Sequence, residues 1–68
     1  MTKYEELKRA IIRRNTTLDA LSVSLGMHRS TLYRKTKEGI DGLTIGEAKA
    51  ITRYLGLSER ESRRIFGI

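Results

Sequence analysis

The stretch from Thr17 to Lys37, TLDALSVSLGMHRSTLYRKTK, constrains this chain most. Leu18, Leu21, Ser22 and Leu25 recur at the spacing of one helical face, and Gly26 then supplies a stop that accepts positive φ without penalty. Ser22 is a small residue between leucines on that inward stripe, which lets a neighbouring helix approach closely. Met27 is placed to plug the core just past the turn, and a new helix starts at His28 or Arg29 and covers about 29–35. Leu32 is its single strong apolar anchor. Most of this second helix therefore stays unburied, with Arg29, Ser30, Tyr33 and Arg34 turned outward.

Charge sharpens the constraint. No acid occurs between Asp19 and Glu38, whereas Arg29, Arg34, Lys35 and Lys37 concentrate positive charge there. A bare basic helix repels itself, and a polyanionic partner would relieve that. The whole chain leans the same way, with 14 Lys and Arg against 8 Asp and Glu and a net charge of +6, although basic small domains also occur for solubility alone.

The flanks read as bracing helices. Thr2 and Glu5 form a capping box ahead of a helix over roughly Lys3 to Arg14, whose inward face is Tyr4, Leu7, Ala10 and Ile11. Its acids come early and its bases late, which suits the helix dipole; Arg13 and Arg14 serve that dipole or touch phosphate. Asn15-Thr16-Thr17 favours caps over helix interior. Thr36 to Leu43 carries two glycines and no helical period, so a loop is expected, with Ile40 and Leu43 tucked inward. Thr44 and Glu47 make a second capping box, opening a helix that buries Ile45, Ala48, Ile51 and Leu55 and stops at Gly56. Ser58 and Glu61 make a third, opening a helix that ends around Phe66, with Leu57 and Ile65 inward. The expectation is a single all-α domain over residues 1–68, a compact bundle of five short helices.

At 68 residues such a chain buries only about 60% of the surface its unfolded form exposes, so a deep catalytic cleft is not expected. It has no cysteine, hence no disulfide or thiolate site, and helix packing must supply the stability. His28 is the sole histidine, and its nearest following acid, Glu38, lies beyond the next helix, which suggests neither a zinc site nor a triad. Glu5-Glu6 and Glu59/Glu61 sit in first helical turns, where the dipole explains them. Gly39-Ile40-Asp41-Gly42 lacks a phosphate-loop fingerprint. No catalytic residue, metal, cofactor or small-molecule substrate is expected. Apolar runs are too short for a membrane span or signal peptide, so a cytoplasmic protein is expected.

Thr17, Leu21-Ser22, Leu25-Gly26, Met27, Ser30-Thr31-Leu32 and Arg34 together resemble the helix-turn-helix of the lambda-repressor-like, or Xre, family of bacterial and phage regulators. The likeness extends over nearly the whole chain through Tyr54-Leu55-Gly56-Leu57-Ser58. Short phage-type members look most similar, on Arg34-Lys35, Leu43-Thr44, Glu47-Ala48 and Ile65-Phe66. Two positions depart: Leu18 stands where many members carry a phosphate-clamping Gln, and His28 where the third helix usually has a Ser-type cap. The resemblance implies a regulator, expected to be a phage or prophage repressor, that binds double-stranded DNA sequence-specifically with helix three in the major groove. It implies that His28, Arg29, Ser30, Tyr33 and Arg34 face base edges, and that Thr17, Lys35 and Lys37 fix the register on phosphate. Each has a structural alternative: a cap for Thr17 and His28, solvated charge for the lysines, packing for Tyr33. One domain is a small footprint, so a homodimer on DNA is expected, with Phe66 and Ile68 as dimerisation candidates unless Phe66 closes the core. The alternative function is a protein-interaction module, an antirepressor or antitoxin-like partner that engages a second regulator.

Overall fold

A computed structural model describes residues 3–37 and 42–67. Among these the chain forms five helices and no strand: α1 (Lys3–Arg13), α2 (Leu18–Ser24), α3 (Arg29–Lys37), α4 (Ile45–Leu55) and α5 (Glu59–Phe66). Among the described residues no helix is long and apolar enough to cross a membrane. The expected roles of Thr2, Ile40 and Ile68 lie outside the described residues.

Three helix ends are built alike. After α1 the Thr16 N–H reaches Ile11 O at 3.2 Å and the Asn15 N–H reaches Ile12 O at 2.9 Å, with Asn15 left-handed at φ 57°. After α2 the bonds are Met27 to Ser22 and Gly26 to Val23, and after α4 Leu57 to Thr52 and Gly56 to Arg53. Each pair is a Schellman motif, which satisfies carbonyls the helix leaves open. At the other ends, Thr44–Glu47 and Ser58–Glu61 form the reciprocal capping boxes expected, and Thr17 Oγ1 accepts from Ala20 N at 3.1 Å.

The core gathers Leu7, Ala10 and Ile11 of α1, Leu21, Leu32, then Ala48, Ile51 and Leu55 of α4, with Leu57, Ile65 and Phe66 closing it. Leu18, Leu25, Met27 and Leu43 pack half-buried around this centre. Helix α2 lies against α3 and α4, and α1 against α5. Ser22 is buried as expected, its hydroxyl returned to Asp19 O at 2.7 Å.

Two expectations are corrected. Ile45 is 65% exposed: at about 100° per residue it lies at the edge of the sector defined by Ala48, Ile51 and Leu55, and as the first residue after the cap it has no preceding turn to cover it. Thr36 begins no loop. Helix α3 continues to Lys37, and Thr36 is fully buried, its hydroxyl donating to Leu32 O and Tyr33 O at 3.0 Å each. That internal bonding is what lets a hydroxyl enter the core at little cost.

Polar ties link the helices. Arg14 Nη2 donates to Gly56 O at 2.8 Å, Arg13 pairs with Glu61, and Arg64 meets Glu6 at 3.4 Å. Thr52 and the buried Ser62 share a hydroxyl bond of 2.9 Å between α4 and α5. Arg13 and Arg14 thus tie α1 to the α4–α5 corner.

Gly42 enters α4 under a tight steric limit. A Cβ there would stand 2.7 Å from the Lys35 carbonyl oxygen, closer than real contacts allow. Gly42→Ala should destabilise the fold by about 1–3 kcal/mol, read as a lower urea midpoint. An unchanged midpoint would mean that the backbone at Gly42 yields freely.

Candidate nucleic-acid interface

Helix α3 starts on a histidine. His28 Nδ1 accepts the Ser30 backbone N–H at 3.2 Å and lies 2.7 Å from the Ser30 hydroxyl, while Leu32 N donates to His28 O at 3.1 Å. His28 therefore caps the helix, as Ser or Asp would, through a ring nitrogen. The neutral tautomer this requires carries its proton on Nε2.

Helical geometry sorts the remaining side chains. With Leu32 and Thr36 inward, steps of about 100° bring Arg34, Ser30 and Lys37 to the outward side, all exposed. Arg29 and Tyr33 fall on the flank toward α2 and α1. There Arg29 Nη1 meets Asp19 Oδ2 at 3.5 Å, and the Tyr33 ring meets Tyr4 in a T-shaped contact with centroids 5.9 Å apart. Lys35 falls on the opposite flank, where its ammonium binds Glu47 at 3.0 and 3.3 Å.

Of the expected base-reading residues, Ser30 and Arg34 lie on the outward side of α3 and Arg29 and Tyr33 on its flank toward α2 and α1; all four are exposed, as is His28 at its N-terminal end. Among the described residues Arg34 has no ion-pair partner. The three expected phosphate residues divide. Lys37 is exposed beside Tyr33, 5.2 Å from the ring centroid. Thr17 caps α2 through its oxygen, which leaves its O–H as a donor. Lys35 is held by Glu47. Leu18 packs half-buried against the core.

Phe66 is corrected as a dimerisation contact. It is 9% exposed and belongs to the core, beneath the α1–α5 pairing, so it offers no free apolar surface.

Two residues of this region carried no functional expectation. Helical spacing gives Tyr4 only an inward position on α1, yet it is half-buried against Tyr33. The capping-box spacing identifies Glu47 as a cap and carries no sign of its link to Lys35.

Glu47 is held below the usual carboxylate range, first by the Thr44 backbone N–H and then by Lys35; Glu61 likewise by the Ser58 N–H, with Arg13 and Arg14 adding attraction. Lys37 is raised above its ordinary value, first by hydrogen bonding to the Tyr33 hydroxyl. Both glutamates bind protons more readily unfolded than folded. The stability they contribute is therefore complete above the ordinary glutamate value of about 4.3 and disappears as pH falls through their lowered folded values. Thermal midpoints should drop below about pH 4, and Glu47→Gln should flatten part of that fall. An acid limb unaltered by Glu47→Gln would contradict the assignment.

No family model, curated protein or solved structure matches this chain.

Proposed function

We propose that the chain is a sequence-specific double-stranded DNA-binding regulator of lambda-repressor-like type, a phage or prophage repressor, with α2 and α3 as its helix-turn-helix. The observation that carries this is the division of α3. Leu32 and Thr36 are buried on one side, and Arg29, Ser30, Arg34 and Lys37 stand exposed on a helix without an acid. A helix of this kind fits the major groove, about 12 Å wide.

Arg34 and Arg29 are the guanine readers, each able to fork onto O6 and N7. Arg29 must leave Asp19 to do so, but both partners are mostly exposed, and such pairs contribute only about 0–1 kcal/mol. A guanine fork discriminates by about 1–3 kcal/mol, so the exchange favours DNA. Ser30 and the Nε2–H of His28 supply shorter-range donors at the start of the helix. Lys37 and Thr17 serve as phosphate contacts, whereas Lys35 would have to give up Glu47.

The domain measures 27 × 24 × 22 Å, less than the roughly 34 Å between successive major-groove faces. One copy therefore covers one half-site, and a homodimer reading two is proposed. Fluorescence anisotropy with mixed-sequence duplex at low salt, followed by selection of bound sites from random DNA, tests the reading. Binding and a palindromic consensus are expected; no binding at low salt would sink it.

A second reading, a protein-interaction module engaging another regulator, draws on a surface groove lined by Tyr4, Ile12 and Leu18 together with Arg29, Ser30 and Tyr33, in which Ile12 is largely exposed. A stoichiometric protein partner recovered without DNA would favour it.

A further inference from the structure

We infer that Tyr4, Tyr33 and Lys37 form a composite phosphate clamp, in which Tyr4 holds the Tyr33 ring while the Tyr33 hydroxyl and the Lys37 ammonium grip one phosphodiester of the DNA backbone. This rests on the DNA-binding function proposed above. It moves Tyr33 from reading a base to holding the backbone, and it gives Tyr4, on α1, a part in binding without contact to DNA.

Three observations carry it. The Tyr4 and Tyr33 rings stand at 88° with centroids 5.9 Å apart, an edge-to-face geometry that fixes ring orientation as well as position. Lys37, one turn along α3, lies 5.2 Å from the centre of the Tyr33 ring, within cation–π range. The ring is thus constrained from two sides, yet Tyr33 keeps 40% of its surface exposed, and the one polar group it can present is its hydroxyl. Position agrees with this assignment. Tyr33 sits on the flank of α3 nearest α1, away from the outward line of Ser30 and Arg34, and Lys37 ends the helix. In groove-reading helices the N-terminal residues meet base edges, so a pair displaced to the flank and the far end is placed for backbone. Tyr33 also raises Lys37 above its ordinary value, and the phenol O–H can donate to a second phosphate oxygen.

The two roles differ in what a variant does across sequences. A phosphate contact weakens all sequences equally, whereas a base contact changes the ranking at one position. The experiment measures affinity for the selected site, its single-base variants and a non-cognate duplex over a salt series, for wild type, Tyr33→Phe, Lys37→Ala, Tyr4→Ala and Tyr4→Phe, with circular dichroism melts of each. Tyr33→Phe, which keeps the ring and removes the hydroxyl, is expected to weaken every duplex by the same factor, about threefold to tenfold. Lys37→Ala is expected to reduce the salt slope by about one. Tyr4→Ala should reproduce the Tyr33→Phe loss without adding to it in the double variant, and Tyr4→Phe should restore binding, because the ring contact needs no hydroxyl. A change of preference at one base pair in Tyr33→Phe would overturn the clamp, as would unaltered affinity in both Tyr33→Phe and Lys37→Ala. If Tyr4→Ala fails to fold, Tyr33→Phe and Lys37→Ala decide alone. Wild type that binds no duplex would instead remove the proposed function itself.

Discussion

Leu32→Ala should lower the stability of the domain by about 2–5 kcal/mol. Leu32 is fully buried and, with Thr36, is the inward contact of a helix whose remaining residues are polar. Removing three carbons there forfeits burial and opens a void against neighbours that have little room to collapse. A domain of this length has a total stability of about 3–10 kcal/mol, at roughly 0.05–0.15 per residue, so the loss is a large share of the whole. Urea denaturation followed by circular dichroism measures it. A change under about 1 kcal/mol would mean that α3 is not anchored at Leu32.

The second large effect concerns binding and spares the fold. Arg29→Ala combined with Arg34→Ala would remove the two proposed guanine forks, of about 1–3 kcal/mol each. Specific affinity should fall at least about thirtyfold, with the ratio of specific to non-specific binding collapsing toward one. Both side chains are exposed, and substitutions at such positions usually alter stability by no more than about 0.5 kcal/mol. The melting curve should therefore stay close to that of the parent while anisotropy with the selected duplex changes. Unaltered binding by the double variant would exclude α3 as the reading element.

The two variants separate what α3 is held by from what it presents, and the two aspects differed in how far the sequence made them visible. Helix starts were legible because Thr17, Thr44 and Ser58 are caps whose chemistry acts within three residues, and stops were legible at Gly26 and Gly56 for the same local reason. Inward stripes of leucine and isoleucine were legible where a helix has several, as in α1 and α4. Thr36 was not, because apolar periodicity counts a threonine as polar, and its hydroxyl is satisfied by carbonyls of its own helix. Ile45 failed in the opposite sense: an apolar residue on the right spacing stays exposed where nothing covers a first turn. The outward placement of Ser30 and Arg34 followed from the placement of Leu32, whereas Arg29 falls on the flank toward α2. The Tyr4–Tyr33 contact and the Lys35–Glu47 pair did not, since each joins helices whose relative placement is a tertiary fact that spacing along the chain does not carry. Phe66 shows the same boundary: an aromatic residue near a terminus fits core and interface equally until its neighbours are known.

The left-handed stop at Gly26, φ 69°, has one more consequence. It fixes where α2 ends, and only Met27 and His28 separate it from the first residue of α3. The turn therefore acts as an index mark that sets the rotational phase of the following helix. One residue inserted after Gly26 and absorbed into α3 would turn its face by about 100°, carrying Leu32 out toward solvent and bringing a charged side chain toward the core. The length of the turn thus holds Arg34 pointing away from the molecule.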